Sequence, residues 1–386
     1  MTQELITANH AAALAAALAG RANRSARGFG GGVYPITPQS ECIELLCEQT
    51  IDKSHIVRVE SEHSAMAVCI GFAQGGARTF TASSSNGLAY MAENVFAAGF
   101  MRLPIVMMAV NRTLGPPWNI WVDHGDTLML RDAGWIQLYC EDNQEVFDSI
   151  LLAYRLAEDA RIRLPVMVCQ DAFVLSHTMM MTEIAEQSQV DAFLPPLQLQ
   201  DRLADRPRVV GGLDFPHETE AHRGQMLAAM AAVPQVHAEC QGRFQQVFGR
   251  RPADGIVPYR LADAELVLVS MGTTASTVRA VVDELRERGM RVGALRVRMF
   301  RPSPCELLRE LLRGKARVGV LDRDVCPGLG GILWSEVASC AAAGSIVQNY
   351  LIGLGGGDIR PQHIHDIVRD LQARASAGSP RLLEVG

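Results

Sequence analysis

The run Leu103 to Val110, LPIVMMAV, carries no polar side chain. A strand with one wet face alternates apolar and polar residues, so an unbroken run fits a strand covered on both faces. Leu164 to Cys169 and Leu266 to Ser270 (LVLVS) are similar, and Val292 to Val297 also reads as a strand. Between such runs lie stretches with apolar residues at helical spacing, Asn143 to Glu158 being the clearest. Strands separated by helices of about 10 to 15 residues predict a parallel α/β sheet.

The alternation occurs twice. In the first half the pattern predicts helices at 5–22, 39–51, 64–75, 88–100 and 143–158, with strands near Val33 and at 55–60, 78–82, 103–110 and 164–169. Thr7 or Asn9 is placed to cap the first helix. Residues 176–258 break the rhythm with mixed proline, glycine and charge, and read as an excursion and linker. It is too long for one structureless loop, so helices are expected at 218–230 and 239–248. Pro252 to Pro258 reads as a boundary. The alternation restarts with LVLVS and continues through helices 277–288, 304–312 and 332–342 and strands 292–297, 316–321 and 346–352. Two domains follow, 1–250 and 259–386.

Composition removes several classes. Hydrophobic residues are 48% and charged residues 20% of the 386, enough apolar material for a sizeable core. A net charge of -6 does not favour nucleic acid or an anionic membrane. No apolar stretch is long enough to span a bilayer, and the N-terminus lacks a basic region leading into an apolar run. The nine cysteines include no CxxC pair. That argues against a disulfide framework and against an iron–sulfur cluster held by this chain alone, and it fits a reducing cytoplasm. Only Lys53 and Lys315 among the 36 basic residues are lysines. With the rest arginine, a single arginine implies anion chemistry only where its surroundings give a reason.

Three residues at strand ends stand out, because ligands of open sheets gather there. Thr37 lies on a turn stiffened by Pro35 and Pro38. Glu62, in VESEHSA, follows a strand and precedes a helix of small residues. Arg112 ends the most apolar strand, where a charge must be paired, solvated or used. Thr37 equally suits a helix cap, and a structural salt bridge equally suits Arg112. Asp123, His124 and Asp126 have the spacing of metal ligands. The glycine-rich GLGGGD (353–358) and CPGLGG (326–331) lack a strand–helix phosphate fingerprint and are weak signals.

The segments GGVYPITPQSE, VESEHSAMAVCIGFAQGGARTFTASSSNGLAYMAE, NIWVDHGDTLMLRDAGWIQL and LPVMVCQDAFVLSHT resemble the alpha subunit of 2-oxoacid:ferredoxin oxidoreductases, of which the pyruvate enzyme is the best known. The resemblance is dense from about residue 28 to 180 and continues more weakly to about 360. It implies a pyrimidine-type thiamine diphosphate domain with a parallel sheet, followed by a transketolase C-terminal-like α/β domain. The implied reaction converts a 2-oxoacid and coenzyme A to acyl-CoA and CO2, with electrons passing to an acceptor. Thiamine diphosphate would be shared with a beta subunit, and Mg2+ and [4Fe-4S] clusters would sit on partner subunits, with FAD on a partner as an option. No GDG motif with an Asn-rich stretch is present, in keeping with a diphosphate site on another chain. Beta, gamma and ferredoxin-like delta subunits, with ferredoxin or another acceptor, are the implied partners, and no metal is implied on this chain.

By position, Glu62 matches the glutamate at the aminopyrimidine ring, with Glu60 as a competitor two residues away. Burial would raise its carboxyl pKa. Arg112 matches the arginine that grips the substrate carboxylate, a task suited to a guanidinium fork. Thr37 matches the threonine beside that carboxylate and the keto group. The loop Ser83 to Gly87 is implied near the cofactor, and Asn86 stands where relatives often carry the longer glutamine. Asp123, His124 and Asp126 are implied to lie behind the site or at a subunit contact. His63 and His177 read as packed or hydrogen-bonded. Departures fall after Arg112: Pro116–Pro117, Trp118 and Trp121, and Val122 where a glycine is expected. Pyruvate is the expected substrate. A bulkier or aryl 2-oxoacid such as phenylglyoxylate, with NAD reached through a flavin subunit, is the alternative.

Overall fold

The computed structural model describes residues 2–199, 203, 205, 207 and 209–384. The parts of the expected excursion at 200–202, 204, 206 and 208 lie outside the described residues.

A seven-stranded sheet has the spatial order Met299–Arg301, Ile136–Tyr139, Val166–Asp171, Ile105–Asn111, Arg78–Ser83, Phe29–Val33, Ser54–Arg58. Every pairing is parallel except the first, where Met299–Arg301 runs antiparallel to Ile136–Tyr139. The apolar run at 103–110 is a central strand, Ile105–Asn111, buried at every position. A six-stranded sheet follows the order Arg381–Leu383, Ile346–Ile352, Arg317–Asp322, Leu266–Ser270, Val292–Val297, Ile256–Tyr259. Only the last of its strands is antiparallel to its neighbour. The fold is thus the expected α/β type.

Local sequence explains how the first sheet is covered. The helix Ala8–Ala22 buries nearly all of its alanines against the helices Asn143–Ala157 and Ser40–Glu48. Small side chains let these axes come close. The glycine run in Phe29–Val33 does the same on the other face. A Cβ at Gly32 would lie 2.1 Å from the Ala65 carbonyl oxygen, so glycine lets the helix Glu62–Gly75 rest directly on the strand. That contact fixes the height of Glu62 above the sheet edge.

Several elements differ from the sequence reading. Residues 2–6 are a strand, Thr2–Ile6, paired antiparallel with Met180–Ile184, and the helix begins only after Thr7. Thr7 is the cap, its Oγ1 accepting from His10 N at 3.2 Å. The helix expected at 88–100 is two, Ser85–Tyr90 and Ala92–Phe100. The two helices expected within 218–248 are one, Pro216–Phe248, running through Pro234. Packing offsets the bond lost at proline: Phe244 and Phe248 lie against Phe193, and Val233 and Val236 are buried. Beyond Ile346–Ile352 the chain adds a helix, Pro361–Ala373, and a parallel edge strand.

The cysteine reading needs one correction. Cys305 and Cys340 are disulfide-bonded, with Cα atoms 5.6 Å apart, while seven cysteines are free. They lie on the helices Cys305–Leu311 and Ile332–Cys340, which pack together although 35 residues separate the pair in sequence. Among the described residues no helix is long and apolar enough to cross a membrane.

The two sheets are joined by more than the strand Met299–Arg301. Arg298 is fully buried and donates from Nε to Glu145 at 2.8 Å, and Arg296 holds both oxygens of Glu145 at 2.6 and 2.9 Å. A second joint centres on Asp171, at the end of a first-sheet strand. Its Oδ1 lies 2.8 Å from His124 Nε2, and its Oδ2 accepts from Thr273 N at 3.1 Å. Arg323 of the second sheet is 3.7 Å away. Burial pushes the Asp171 carboxyl up, but His124 and Arg323 more than reverse this and hold it at about 2.

Candidate active site

The parallel strands of the first sheet end on one edge, and the marked residues lie just past those ends. Thr37 follows Phe29–Val33, Glu62 follows Ser54–Arg58, Ser84 to Gly87 follow Arg78–Ser83, and Arg112 follows Ile105–Asn111.

Ser61 caps the helix Glu62–Gly75, its Oγ accepting from Ser64 N at 3.2 Å. Glu62 is therefore the first helical residue, where a carboxylate is favoured by the helix dipole. It is 6% exposed and has no cationic partner among the described residues. Burial pushes its carboxyl up. Glu60 differs in each respect: it is exposed, accepts a hydrogen bond from Ser64 Oγ, and is held below the usual carboxylate range by that bond. Glu62 lies over Gly87. A Cβ there would sit 2.6 Å from Glu62 Oε1 and 2.5 Å from Ser83 Oγ, so the space between the carboxylate and the serine depends on glycine. Ser83 Oγ is buried and makes no hydrogen bond among the described residues.

Arg112 is half-buried and forms no ion pair among the described residues, and burial lowers its pKa. Its Nη1 donates to the Thr37 carbonyl at 2.7 Å and its Nε to the Asn119 carbonyl at 3.1 Å. A guanidinium has five N–H groups. Two are used here, which leaves one on Nη1 and two on Nη2. Thr37 is exposed, precedes the cis peptide to Pro38, and does not cap the helix Ser40–Glu48, whose N-cap is Gln39.

Asp126 links the two halves of the site. It is fully buried, and its Oδ2 accepts from Ser85 N at 2.9 Å and Arg112 N at 3.0 Å. Its Oδ1 accepts from Asn111 Nδ2 at 2.9 Å and Thr127 N at 2.8 Å. Burial pushes its carboxyl up to about 7, against four donors that favour the anion. Asn86 Oδ1 accepts from Gly115 N at 3.3 Å and from Ser85 Oγ at 3.1 Å, bracing the loop after Arg112. One connected path thus runs from Glu62 past Gly87 and Ser85 to Asp126, Arg112 and Thr37.

The DHGD segment is a structural joint. Among the described residues no group of three His, Cys, Asp or Glu side chains is placed to hold a metal ion. His124 pairs with Asp171, and Asp126 accepts backbone and amide donors. His177 lies 3.0 Å from Glu41 and stacks on Phe173, while His63 lies against Tyr90 and Glu93. Val122 is buried. Trp118 and Trp121 remain largely exposed, with Trp121 set 4.5 Å from the Phe173 ring. The sequence reading named Ser83 and Gly87 only as the bounds of a loop near the cofactor, and did not single out Asn119 or Asp171. A glycine after a serine run, and an amide inside a loop rich in proline and tryptophan, were the only signals available.

A largely parallel sheet with a buried acid and an arginine lacking an ion pair among the described residues on its carboxyl edge, backed by a second α/β unit, has the layout of an α/β ligand-binding fold. Residues 31–242 match the family model "Pyruvate flavodoxin/ferredoxin oxidoreductase, thiamine diP-bdg", and residues 264–364 match "Pyruvate:ferredoxin oxidoreductase core domain II". The pyruvate synthase subunit PorA of Methanothermobacter thermautotrophicus is 43% identical over 96% of this chain and 95% of its own length. The Thermotoga maritima PorA is 45% identical over 87% and 88%. The ketoisovalerate oxidoreductase subunit VorA of Pyrococcus furiosus is 40% identical over 97% and 95%. The chain belongs to the family of 2-oxoacid:ferredoxin oxidoreductase alpha subunits. Its fold matches the 2-oxoglutarate:ferredoxin oxidoreductase of Magnetococcus marinus with a TM-score of 0.69 at 19% identity, covering 95% of this chain and 65% of that one. Transketolase from Leishmania mexicana matches with a TM-score of 0.55 at 14% identity, covering 96% of this chain and 46% of that one. The architecture is a thiamine diphosphate pyrimidine-type unit followed by a transketolase C-terminal-like unit.

Proposed function

We propose that this chain is the alpha subunit of a CoA-acylating pyruvate:ferredoxin oxidoreductase, with 1–250 and 259–386 as its domains. The observation that carries the reading is a pair of ionisable groups on one sheet edge that lack an ion pair among the described residues: the Arg112 guanidinium and the Glu62 carboxyl. Unpaired, partly buried charges are costly unless a ligand completes them.

The residues fit the pyrimidine end of thiamine diphosphate. Glu62 offers a buried carboxyl with a raised pKa, Ser83 a buried hydroxyl without a partner, and Gly87 the clearance between them. When bound, thiamine diphosphate supplies a nucleophilic carbon and a sink for the electrons left by loss of CO2. Glu62 would hold and release a proton at the pyrimidine, a task that needs a pKa near working pH. Arg112 binds the substrate carboxylate through the N–H groups left on Nη1 and Nη2, two parallel donors at the end of the fork. The Thr37 carbonyl sets that direction, and the Thr37 hydroxyl, which has no partner in the described structure, is available to the acid. Asn86 acts by bracing the loop between the two groups.

Mg2+ and the iron–sulfur clusters are assigned to beta, gamma and ferredoxin-like delta subunits, with ferredoxin as acceptor and the cytoplasm as the setting. Support comes from the missing cluster-type cysteine spacing and from the relatives named as subunits. Relatives named for ketoisovalerate support a branched 2-oxoacid as the second reading.

The test is anaerobic. The complex containing this chain is assayed for CoA-dependent reduction of a low-potential dye with pyruvate, 2-oxobutyrate, 2-oxoisovalerate, 2-oxoglutarate and phenylglyoxylate in parallel. Highest kcat/KM with pyruvate is expected. Preference for 2-oxoisovalerate selects the second reading, and no turnover of any 2-oxoacid overturns both.

A further inference from the structure

The glycine run GLGGGD carries no phosphate fingerprint, yet it meets the loop that follows Arg112. That loop, residues 113–121, closes on itself: Thr113 N donates to the Trp121 carbonyl at 3.1 Å. Asn119 sits at its centre and uses three of its polar atoms. Its carbonyl accepts from Arg112 Nε at 3.1 Å and from Thr113 Oγ1 at 2.6 Å. Its Oδ1 accepts from Trp121 N at 2.6 Å. Its Nδ2 donates to the Gly355 carbonyl at 2.9 Å. One residue therefore connects the guanidinium to the second α/β unit: the Asn119 backbone carbonyl holds Arg112, and its side-chain amide ties that stretch of backbone to Gly355.

The glycines are required by geometry. Gly355 and Gly356 have φ of 63° and 85°, a region side chains rarely enter. A Cβ on Gly355 would lie 3.1 Å from Asn119 Nδ2. A Cβ on Gly356 would lie 2.2 Å from the Trp121 Cβ, closer than any real contact. The turn is in turn mounted on Arg323, whose Nε lies 3.4 Å from the Gly353 carbonyl. The loop's outer side keeps Leu114, Trp118, Ile120 and Trp121 exposed. Its shape is held from behind by the glycine turn.

We propose that Asn119 and the glycine turn 353–357 form the selectivity mount of this enzyme: the second unit sets the direction of Arg112 and the place of Trp121, and so which 2-oxoacid side chain is accepted. This rests on Arg112 binding the substrate carboxylate. Asn119 is a positioning residue, since it acts through Arg112 and Trp121.

The experiment uses the assembled complex carrying Asn119→Ala, Gly356→Ala or Trp121→Ala, with assembly checked by size. For pyruvate and 2-oxoisovalerate, KM and kcat are measured separately, together with the thiamine diphosphate concentration for half-maximal activity. Misaiming a carboxylate clamp is expected to raise the KM of both acids about tenfold or more in Asn119→Ala, with half-saturation by thiamine diphosphate within about twofold of the parent. Gly356→Ala and Trp121→Ala are expected to shift the pyruvate to 2-oxoisovalerate ratio of kcat/KM in the same direction. Unchanged KM and ratio, or an equal loss in kcat and thiamine diphosphate affinity without a change in ratio, overturns the proposal. If Gly356→Ala does not assemble, Asn119→Ala and Trp121→Ala decide it. A parent complex without 2-oxoacid turnover rejects the substrate reading itself and is thereby distinguished from failure of the mount.

Discussion

Arg112 Nη1 lies 2.7 Å from the carbonyl oxygen of Thr37, so two strand ends that are 75 residues apart in sequence meet through one hydrogen bond. The bond runs to the backbone of Thr37. Its position is thus insensitive to the Thr37 side chain, which remains available for another contact.

Arg112→Ala removes a half-buried cation that forms no ion pair among the described residues. Transition-state stabilisation with the preferred 2-oxoacid is expected to fall by about 2 to 5 kcal/mol, the range for truncating a buried charge contact. Arg112→Lys keeps the charge but loses the fork and the bonds to Thr37 and Asn119, so it should recover only part of the loss. Steady-state kcat/KM in the anaerobic dye assay measures both. Unchanged kinetics for every 2-oxoacid would remove Arg112 from the pocket.

Gly87→Ala places a methyl group between Glu62 Oε1 and Ser83 Oγ, 2.6 and 2.5 Å from them. Folding should survive, because this contact lies at the strand edge and Glu62 can swing aside. Thiamine diphosphate saturation should weaken at least tenfold, roughly 1.4 kcal/mol. Titration of the complex with thiamine diphosphate checks this, and unaltered saturation would place the cofactor elsewhere.

Asp126 should leave a mark on stability against pH. Its carboxyl is pushed from an ordinary value of 3.8 to about 7 by burial. A raised carboxyl pKa contributes stability that is complete below its unfolded value and is lost as pH rises through its folded value. Thermal unfolding of the complex, parent against Asp126→Asn, should therefore show the parent losing ground from pH 4 to pH 8. Parallel curves would mean that the four hydrogen bonds keep Asp126 ionised throughout.

The buried joint at Asp171 should be costly to break. Asp171→Ala leaves His124 and Arg323 without their carboxylate, and a loss of about 3 to 5 kcal/mol is expected. Denaturant unfolding of the complex reads this. A change under about 1 kcal/mol would show that the two sheets are held by Arg296, Arg298 and Glu145 instead.

The sheet strands were legible because their burial is written as unbroken apolar runs, as in LPIVMMAV and LVLVS. Elements made by pairing were not. Met299–Arg301 and Ile256–Tyr259 are short edge strands whose partners lie far away in the chain, and Thr2–Ile6 is a strand only through Met180–Ile184. The helices expected at 218–230 and 239–248 are one because tertiary packing carries the helix through Pro234. Thr37, Glu62 and Arg112 were visible as polar residues at strand ends and through the resemblance of their segments. The resemblance already placed Glu62 ahead of Glu60, and the burial of one and the exposure of the other add support that the sequence alone does not carry. Asn119 and the glycine turn were opaque because their role exists only when residues about 235 positions apart meet.

If Glu62 is the buried acid of a thiamine diphosphate site, proton exchange at the cofactor's reactive carbon depends on it. The complex is loaded with thiamine diphosphate, pulsed with D2O, quenched in acid and read by NMR, parent against Glu62→Gln. Exchange slowed by about a hundredfold or more is expected in the variant, with cofactor still bound, as for removal of an acid–base group. Equal exchange rates in the two complexes would contradict this role of Glu62.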